Sequence, residues 1–215
     1  MALSLLGLDW VESIRKADLA LRRQLRDLPS LEAKSDELAA LFDQVVRWNR
    51  RMDLTAARSP AELIDLYLAD AAVLAMFASE TDWVDVGCGG GAPGVVLAVL
   101  CPQLSLTLVE PRAKRVAFLR NALGTLDIDS ARVLRGRSEN LDAGSFDTAI
   151  SRATLPPERW LSEGTRLARR EVWVLLARDA APALPQWRID REVSYRWPLT
   201  SVRRRAVRYV PRRPA

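Results

Sequence analysis

The 215-residue sequence contains no histidine, and that absence removes much of the common acid–base and metal chemistry. Zinc sites of the usual kind and histidine general bases have almost nothing to work with. Cysteine is nearly as scarce. Cys88 and Cys101 make neither a disulfide framework nor a metal-ligand spacing, which suits a reduced, cytoplasmic setting. Long apolar runs are missing as well. The most apolar stretch, residues 92–101, contains Pro93 and Gly94 and stops short of the ~20 residues a membrane-spanning helix needs. The opening "MALSLLGLDW" is apolar but lacks a basic region, and Asp9 interrupts it, so it does not read as a signal peptide.

What remains is the composition of an ordinary globule, 49% hydrophobic and 27% charged, sized for one domain with a real core. The net charge is +5, which favours a polyanionic partner. Arginine outnumbers lysine 29 to 3, however, and a GC-rich genome produces that bias unaided. Basicity alone therefore leaves nucleic-acid binding and plain composition level.

Residues 1–80 read as a helical extension by periodicity. "LEAKSDELAALFDQVVRWNRRM" puts Leu31, Leu38, Leu41, Phe42, Val45, Val46 and Trp48 on one broad face. "SPAELIDLYLADAAVLAMF" opens with a capping box, with Ser59 at the cap, Pro60 first in the helix and Glu62 three residues after the cap. From residue 81 onward, short β-rich runs alternate with helices: "WVDVG", "LSLTLVE", "ARVLRG", "FDTAISRA" and "EVWVLLA", then "RIDREVSYRW" and "RRRAVRYV". That alternation predicts an α/β fold with a Rossmann-like, doubly wound parallel sheet. No repeat or linker divides the chain, so the extension and residues 81–215 read as one unit.

Five glycines crowd residues 87–94, "GCGGGAPG". Gly89, Gly91 and Gly94 satisfy G-x-G-x-x-G after a strand and at the start of a helix, and Glu110 ends the next strand, where an acid grips ribose hydroxyls. Asp85 separates the ligand classes. A dinucleotide would bring pyrophosphate to that strand end, where a carboxylate costs Coulomb energy. S-adenosylmethionine brings an ammonium and a sulfonium, for which an acid is favourable. Asp85 with Glu110 therefore reads as a methyl-donor site, with backbone-amide capping as the alternative for Asp85.

Elimination narrows the methyl acceptor. Attack through pyrimidine C5 needs a cysteine thiolate, and both cysteines sit where packing residues belong. Exocyclic-amine methylation usually goes with an Asn/Asp-Pro-Pro-aromatic turn after the fourth strand. Here Arg152 stands at that turn, and "LPPERW" lacks both flanking residues. A nucleophile with a free lone pair, such as guanine N7, needs neither base nor covalent intermediate, and positioning supplies most of the catalysis.

Five motifs in order, over residues 38–210, resemble the bacterial 16S rRNA (guanine-N7)-methyltransferase family, also called glucose-inhibited division protein B. "VVRWNRRMDLTAARSPAELIDLYLAD" is similar to its W-N-x-x-x-N-L-T segment, "VDVGCGGGAPGVVLAV" to its glycine loop, and "LVEPRAKRVAFLR" to its acid strand and following helix. "GRSENL" and "ISRA" match the next two motifs. The resemblance implies that Gly87, Gly89, Gly91 and Glu110 contact S-adenosylmethionine and that Ser138 and Glu139 lie beside its adenine. It also implies that Lys114 and Arg152 serve the cofactor or the target guanine, with a solvated charge and a strand-end salt bridge as their structural alternatives. Asn49 and Thr55 read equally as helix-to-sheet contacts.

Departures from the family pattern are the Leu66-Tyr67 pair in place of Arg-His, Ala71 in place of serine, Ala92 in place of phenylalanine, and Arg178 near the family's lysine. The implied partner is 16S rRNA or the small ribosomal subunit, with no membrane and no metal, and a monomer is expected. A nicotinamide-dependent oxidoreductase, a paralogue with another RNA target and a non-catalytic RNA-binding relative are the competing readings. Six arginines in "RRRAVRYVPRR", extended by Arg112, Lys114, Arg115, Arg132, Arg135 and Arg137, are candidates for the RNA surface. Since no histidine titrates near neutrality, the transfer step is expected to be flat from about pH 6.5 to 8.5.

Overall fold

The structure is a computed structural model that describes residues 9–212; the opening residues 1–8 and Arg213 of the basic tail lie outside the described residues. Three helices come first. α1 (Trp10–Arg22) is capped by Asp9, whose carboxylate accepts from the Glu12 amide, and it buries Trp10, Ile14, Ala17 and Leu21. A 3-10 turn (Glu32–Lys34) leads into α2 (Ser35–Asn49). Leu31, Leu38, Leu41, Phe42, Val45 and Val46 are buried as the periodicity requires, while Trp48 is only partly so. α3 (Pro60–Ala75) begins where the capping box predicts. Ser59 Oγ accepts from the Glu62 amide at 3.1 Å, but the Glu62 carboxylate reaches back to the Arg58 amide, one residue beyond the cap's own.

The remaining chain is β1 (Asp82–Val86), α4 (Gly94–Leu100), β2 (Ser105–Glu110), α5 (Ala113–Thr125), β3 (Ala131–Arg135), β4 (Phe146–Ser151), α6 (Pro157–Leu167), β5 (Ala168–Leu176), β6 (Trp187–Arg196) and β7 (Arg203–Pro211). The strands form one seven-stranded sheet in the order β3-β2-β1-β4-β5-β7-β6. The first five are parallel, and β7 and β6 close the sheet as an antiparallel hairpin. The strand order reverses at β1, so the crevice for a ligand lies beyond the carboxyl ends of β1 and β4.

Side chains alternate across β1: Trp83 joins a core shared with α1–α5, and Val84 and Val86 join a second core under α6. Asp85 therefore falls on the Trp83 side, against α4. α3 is buried along nearly its whole length and carries two buried acids, Asp65 and Asp70, that bind the hairpin. Asp65 accepts from the Leu199 and Thr200 amides at 2.9 and 2.7 Å, and Asp70 Oδ1 accepts from the Tyr195 hydroxyl at 2.6 Å.

Candidate ligand crevice

At the carboxyl end of β1 the chain passes through Gly87, Gly89 and Gly91, with φ of +68°, +57° and +89°. This left-handed backbone is open to glycine at little cost and strained for other residues. Gly94 is needed for a different reason, since a Cβ there would lie 2.4 Å from a Leu108 methyl and 2.5 Å from Asp85 Oδ2. The loop rests on the segment after α2. Asn49 Oδ1 accepts from the Leu54 and Thr55 amides at 2.9 and 3.2 Å, closing a turn whose Leu54 carbonyl packs against Gly90. Tyr67, one of the departures, donates its hydroxyl to the Gly90 carbonyl at 2.7 Å. Asn49 and Tyr67 thus support the loop from behind.

Glu110 stands beside this loop as expected, because β2 pairs with β1 in register, Val109 opposite Val86. Its Oε2 accepts from the Gly89 amide at 3.1 Å and its Oε1 from the Arg112 amide at 2.8 Å. Asp85 is wholly enclosed. Its Oδ2 accepts from the Gly94 amide at 3.0 Å, tying β1 to the first residue of α4, which is the amide-capping alternative. Its Oδ1 is buried without a partner among the described residues. Burial pushes the Asp85 carboxyl up to about 7 against the opposing pull of nearby Arg152. A titrating group near neutrality exists after all, and it is a carboxylate.

Arg152 leaves the end of β4 and crosses to α3. Its Nη1 donates to the Leu66 carbonyl and lies 3.4 Å from Asp70 Oδ2, so Tyr195, Asp70 and Arg152 form one chain of contacts. The salt-bridge alternative is what its contacts are, yet the guanidinium also borders a cavity of about 230 Å³ walled by Asp70, Trp160, Trp197 and Arg204. Next in sequence, Ala153 has φ +54°, and Thr154 packs on Gly87 with its Oγ1 3.3 Å from the Val86 carbonyl.

Ser138 and Glu139 open a 3-10 turn (Ser138–Asn140) beyond β3. Ser138 is buried and Glu139 exposed, and Arg166 of α6 holds the Ser138 and Leu141 carbonyls at 2.8 Å each. Lys114 goes elsewhere. It is exposed and lines a groove with Arg47, Trp48, Arg51, Met52 and Ala117, away from the cavity that Arg152 borders. Cys88 and Cys101 are free and buried, and burial pushes the Cys101 thiol up to about 11, so it is no thiolate at neutral pH. Thr154, Asp70, Tyr195 and Trp197 were not read as site residues. Thr154, Tyr195 and Trp197 carry no local motif and reach the crevice only through folding, whereas Asp70 ends the "VVRWNRRMDLTAARSPAELIDLYLAD" segment and meets Tyr195 and Arg152 only in the tertiary structure.

The basic positions do not form one patch. β3, with Arg132 and Arg135, lies at one edge of the sheet, and β7 lies five strands away. At ~4.8 Å per strand that is roughly 24 Å. The tail itself divides along its length. Arg205 lies opposite Leu176 at the carboxyl end of β5 and Arg203 and Arg204 pair with the end of β6, while Arg208 lies opposite Trp173 and is engaged by Asp190 and Glu171.

Comparison with known proteins agrees with this geometry. The family described as GidB: rRNA small subunit methyltransferase G matches residues 34–183. Among curated relatives, "Ribosomal RNA small subunit methyltransferase G" of Pseudomonas syringae is 35% identical over 57% of this chain and 58% of its own. The protein of that name in Stenotrophomonas maltophilia is 41% identical over 50% and 51%, and that in Halorhodospira halophila 37% identical over 78% and 75%. The chain thus spans just over half the length of the first two. Among solved structures, a SAM-dependent methyltransferase from Aquifex aeolicus aligns with TM-score 0.52 at 17% identity, covering 71% of this chain and 94% of that one. P. horikoshii TYW2 in complex with MeSAdo aligns with TM-score 0.56 at 11% identity, covering 74% and 65%. At such identities the structures speak for the fold.

Proposed function

We propose, from the fact that the chain belongs to the GidB family, rRNA small subunit methyltransferase G, that it methylates guanine N7 in 16S rRNA with S-adenosylmethionine as donor. The observation that carries this reading is the left-handed turn through Gly87, Gly89 and Gly91 with Glu110 beside it, next to the cavity at Arg152.

The residues present fit the cofactor. The glycine turn keeps side chains away from the strand end, and Glu110 offers free lone pairs to ribose hydroxyls. Ser138 and Glu139 stand past β3, where an adenine would lie. Asp85 holds the loop through Gly94, and its unpartnered Oδ1 makes a positive charge nearby favourable. S-adenosylmethionine, when bound, supplies a sulfonium methyl electrophilic enough for a neutral ring nitrogen. Guanine N7 carries its lone pair in the plane of the base, so no proton has to leave before attack. A protein without histidine is then under no handicap.

Arg152 cannot take a proton at neutral pH. Its part is to donate hydrogen bonds to an acceptor such as guanine O6, held in place by Asp70 and the Leu66 carbonyl. A nicotinamide oxidoreductase fits worse, because the family whose model matches the chain is one of rRNA methyltransferases.

The test is mass-spectrometric mapping of 16S rRNA after incubating the protein and S-adenosylmethionine with bare 30S subunits or naked rRNA. A single N7-methylguanosine is expected. Methylation at an exocyclic amine, or none on either substrate, would overturn the reading. In single turnover, Arg152→Lys keeps the charge but loses the planar fork, and is expected to slow transfer more than it weakens cofactor binding.

A further inference from the structure

Five arginines converge at the carboxyl edge of β5–β7 from three separate stretches of chain. Arg178 follows β5, Arg196 ends β6, and Arg203, Arg204 and Arg205 begin β7. The pairing brings them together, with Leu176 opposite Arg205 and Arg196 opposite Arg203. They line one open groove of about 660 Å³, along with Tyr195.

The charge in this groove is poorly compensated. Arg205 pairs with Glu192 at 2.8 Å, and Arg196 donates to the Ser201 carbonyl at 3.2 Å. Arg178 and Arg203 are exposed, and among the described residues no carboxylate lies within ion-pair range of either. Toward the far end of the same hairpin Arg188 and Arg208 are both paired with Asp190, while Arg191 and Arg212 are exposed. The end of the hairpin nearest Arg152 thus gathers four arginines without a carboxylate partner among the described residues, Arg178, Arg196, Arg203 and Arg204, in one groove. A groove lined by charge of one sign concentrates and steers ligands of the other.

The groove also leads somewhere. Ala177 and Arg204 border both it and the cavity at Arg152. At that junction the Arg204 guanidinium lies over the Trp197 ring, 4.1 Å from its centroid. Trp197 is 8% exposed, and its Nε1 is a buried donor without an acceptor among the described residues. A buried N–H left unpaired costs free energy until an acceptor arrives. A polyanion with flat bases answers both features, the free charge in the groove and the stacked Arg204–Trp197 pair bordering the cavity. An acidic peptide or an anionic lipid answers the groove alone.

Resting on the reading that the substrate is RNA, we propose that this arginine groove holds the phosphate backbone of the strand flanking the target nucleotide. Arg204, stacked on Trp197, marks the point where the unstacked base leaves that strand for the Arg152 cavity. Extruding a base in this way is the usual means of reaching one held in a stack.

The experiment compares three full-length proteins: the unaltered chain, Arg178→Ala/Arg203→Ala, and Arg170→Ala/Arg212→Ala. The last removes the same charge from exposed arginines at the other end of β5 and β7. Binding to naked 16S rRNA is measured across a salt series, and S-adenosylmethionine affinity by calorimetry serves as the folding control. The groove variant is expected to lower the log–log salt slope by about 1.4, two contacts at ~0.7 each. The opposite-end variant is expected to keep the original slope, and both are expected to keep cofactor affinity. An unchanged slope in the groove variant, or an equal loss in both variants, would overturn the proposal. So would a loss confined to phosphatidylglycerol vesicles with RNA binding intact. Because RNA binding is scored without methyl transfer, an unchanged slope beside normal N7 methylation would remove the groove alone, whereas a changed slope without N7 methylation would remove only the assigned reaction.

Discussion

Asp85 is fully buried, and the burial that pushes its carboxyl up to about 7 links stability to pH. The folded carboxyl sits above its ordinary value of 3.8, so the folded state keeps a proton that the unfolded chain has already released. Stability from this group therefore falls as pH rises from about 4 to about 7 and stays low above that. Asp85→Asn removes the titration while keeping an acceptor for the Gly94 amide. Thermal melts without ligand are expected to show the variant gaining on the unaltered protein between pH 5 and 8 by at least about 2 °C, roughly 1 kcal/mol for a chain of this size. Parallel curves would clear Asp85 of the titration. Cofactor affinity is expected to move the other way, rising through pH 7 only in the unaltered protein. The transfer step is still expected to be flat, since N7 loses no proton. At Glu110 the expected cost of Glu110→Ala to cofactor affinity is about ten- to a hundredfold, the value of hydrogen bonds to a charged acceptor (roughly 1.5–3 kcal/mol). Calorimetry checks this, and melting of the ligand-free variant reads the loop order lost with the Gly89 and Arg112 amide contacts.

Among the elements, α3 joins the parts of the crevice. Along one helix, Asp65 holds the residues 199–200 turn, Tyr67 holds the glycine loop and Asp70 holds both Tyr195 and Arg152. In this chain the Tyr67 hydroxyl places part of the loop's support on the helix. Tyr67→Phe keeps the ring packed on Phe42 and leaves the Gly90 carbonyl unpaired. The expected result is a stability loss of about 1 kcal/mol with cofactor affinity falling several-fold. Unchanged affinity, read by calorimetry, would make the contact one of packing only.

At the scale of the whole molecule, the N-terminal helices and the sheet share one apolar core that runs from Trp10 through Phe42 and Tyr67 to Trp173, Tyr195 and Ala206. Gln24 adds a polar tie, accepting from the Arg196 amide at 2.7 Å and donating to its carbonyl at 3.1 Å. One cooperative unfolding transition is expected by circular dichroism and tryptophan fluorescence alike. Deleting residues 1–30 strips Trp10 from Phe42 and Gln24 from the arginine groove, and is expected to abolish the cooperative melt. Two separated transitions in the full chain would show that the helices fold apart from the sheet.

Whatever depends on neighbours a few residues away is encoded locally in the chain. The Ser59 cap, the α2 apolar face, the succession of strands and helices and the glycine turn after β1 follow from local sterics and from periods of 3.6 and 2. Glu110 was legible as well, because the next strand in sequence is also the next in the sheet. Tertiary structure decided the rest. Tyr195 meets Asp70 across 125 residues and Gln24 meets Arg196 across 172, and no window of sequence holds both partners. Asp85 was visible as an acid, but its enclosed Oδ1 exists only once α4 has packed against β1. The arginines show the division most plainly. Arg204 and Arg208 are four residues apart on one strand, alike in sequence, yet one stacks on Trp197 at the crevice and the other is neutralised by Asp190. Their difference is set by which end of β7 reaches the carboxyl edge of the sheet, and that follows from the antiparallel pairing with β5, a long-range register that local preferences do not encode.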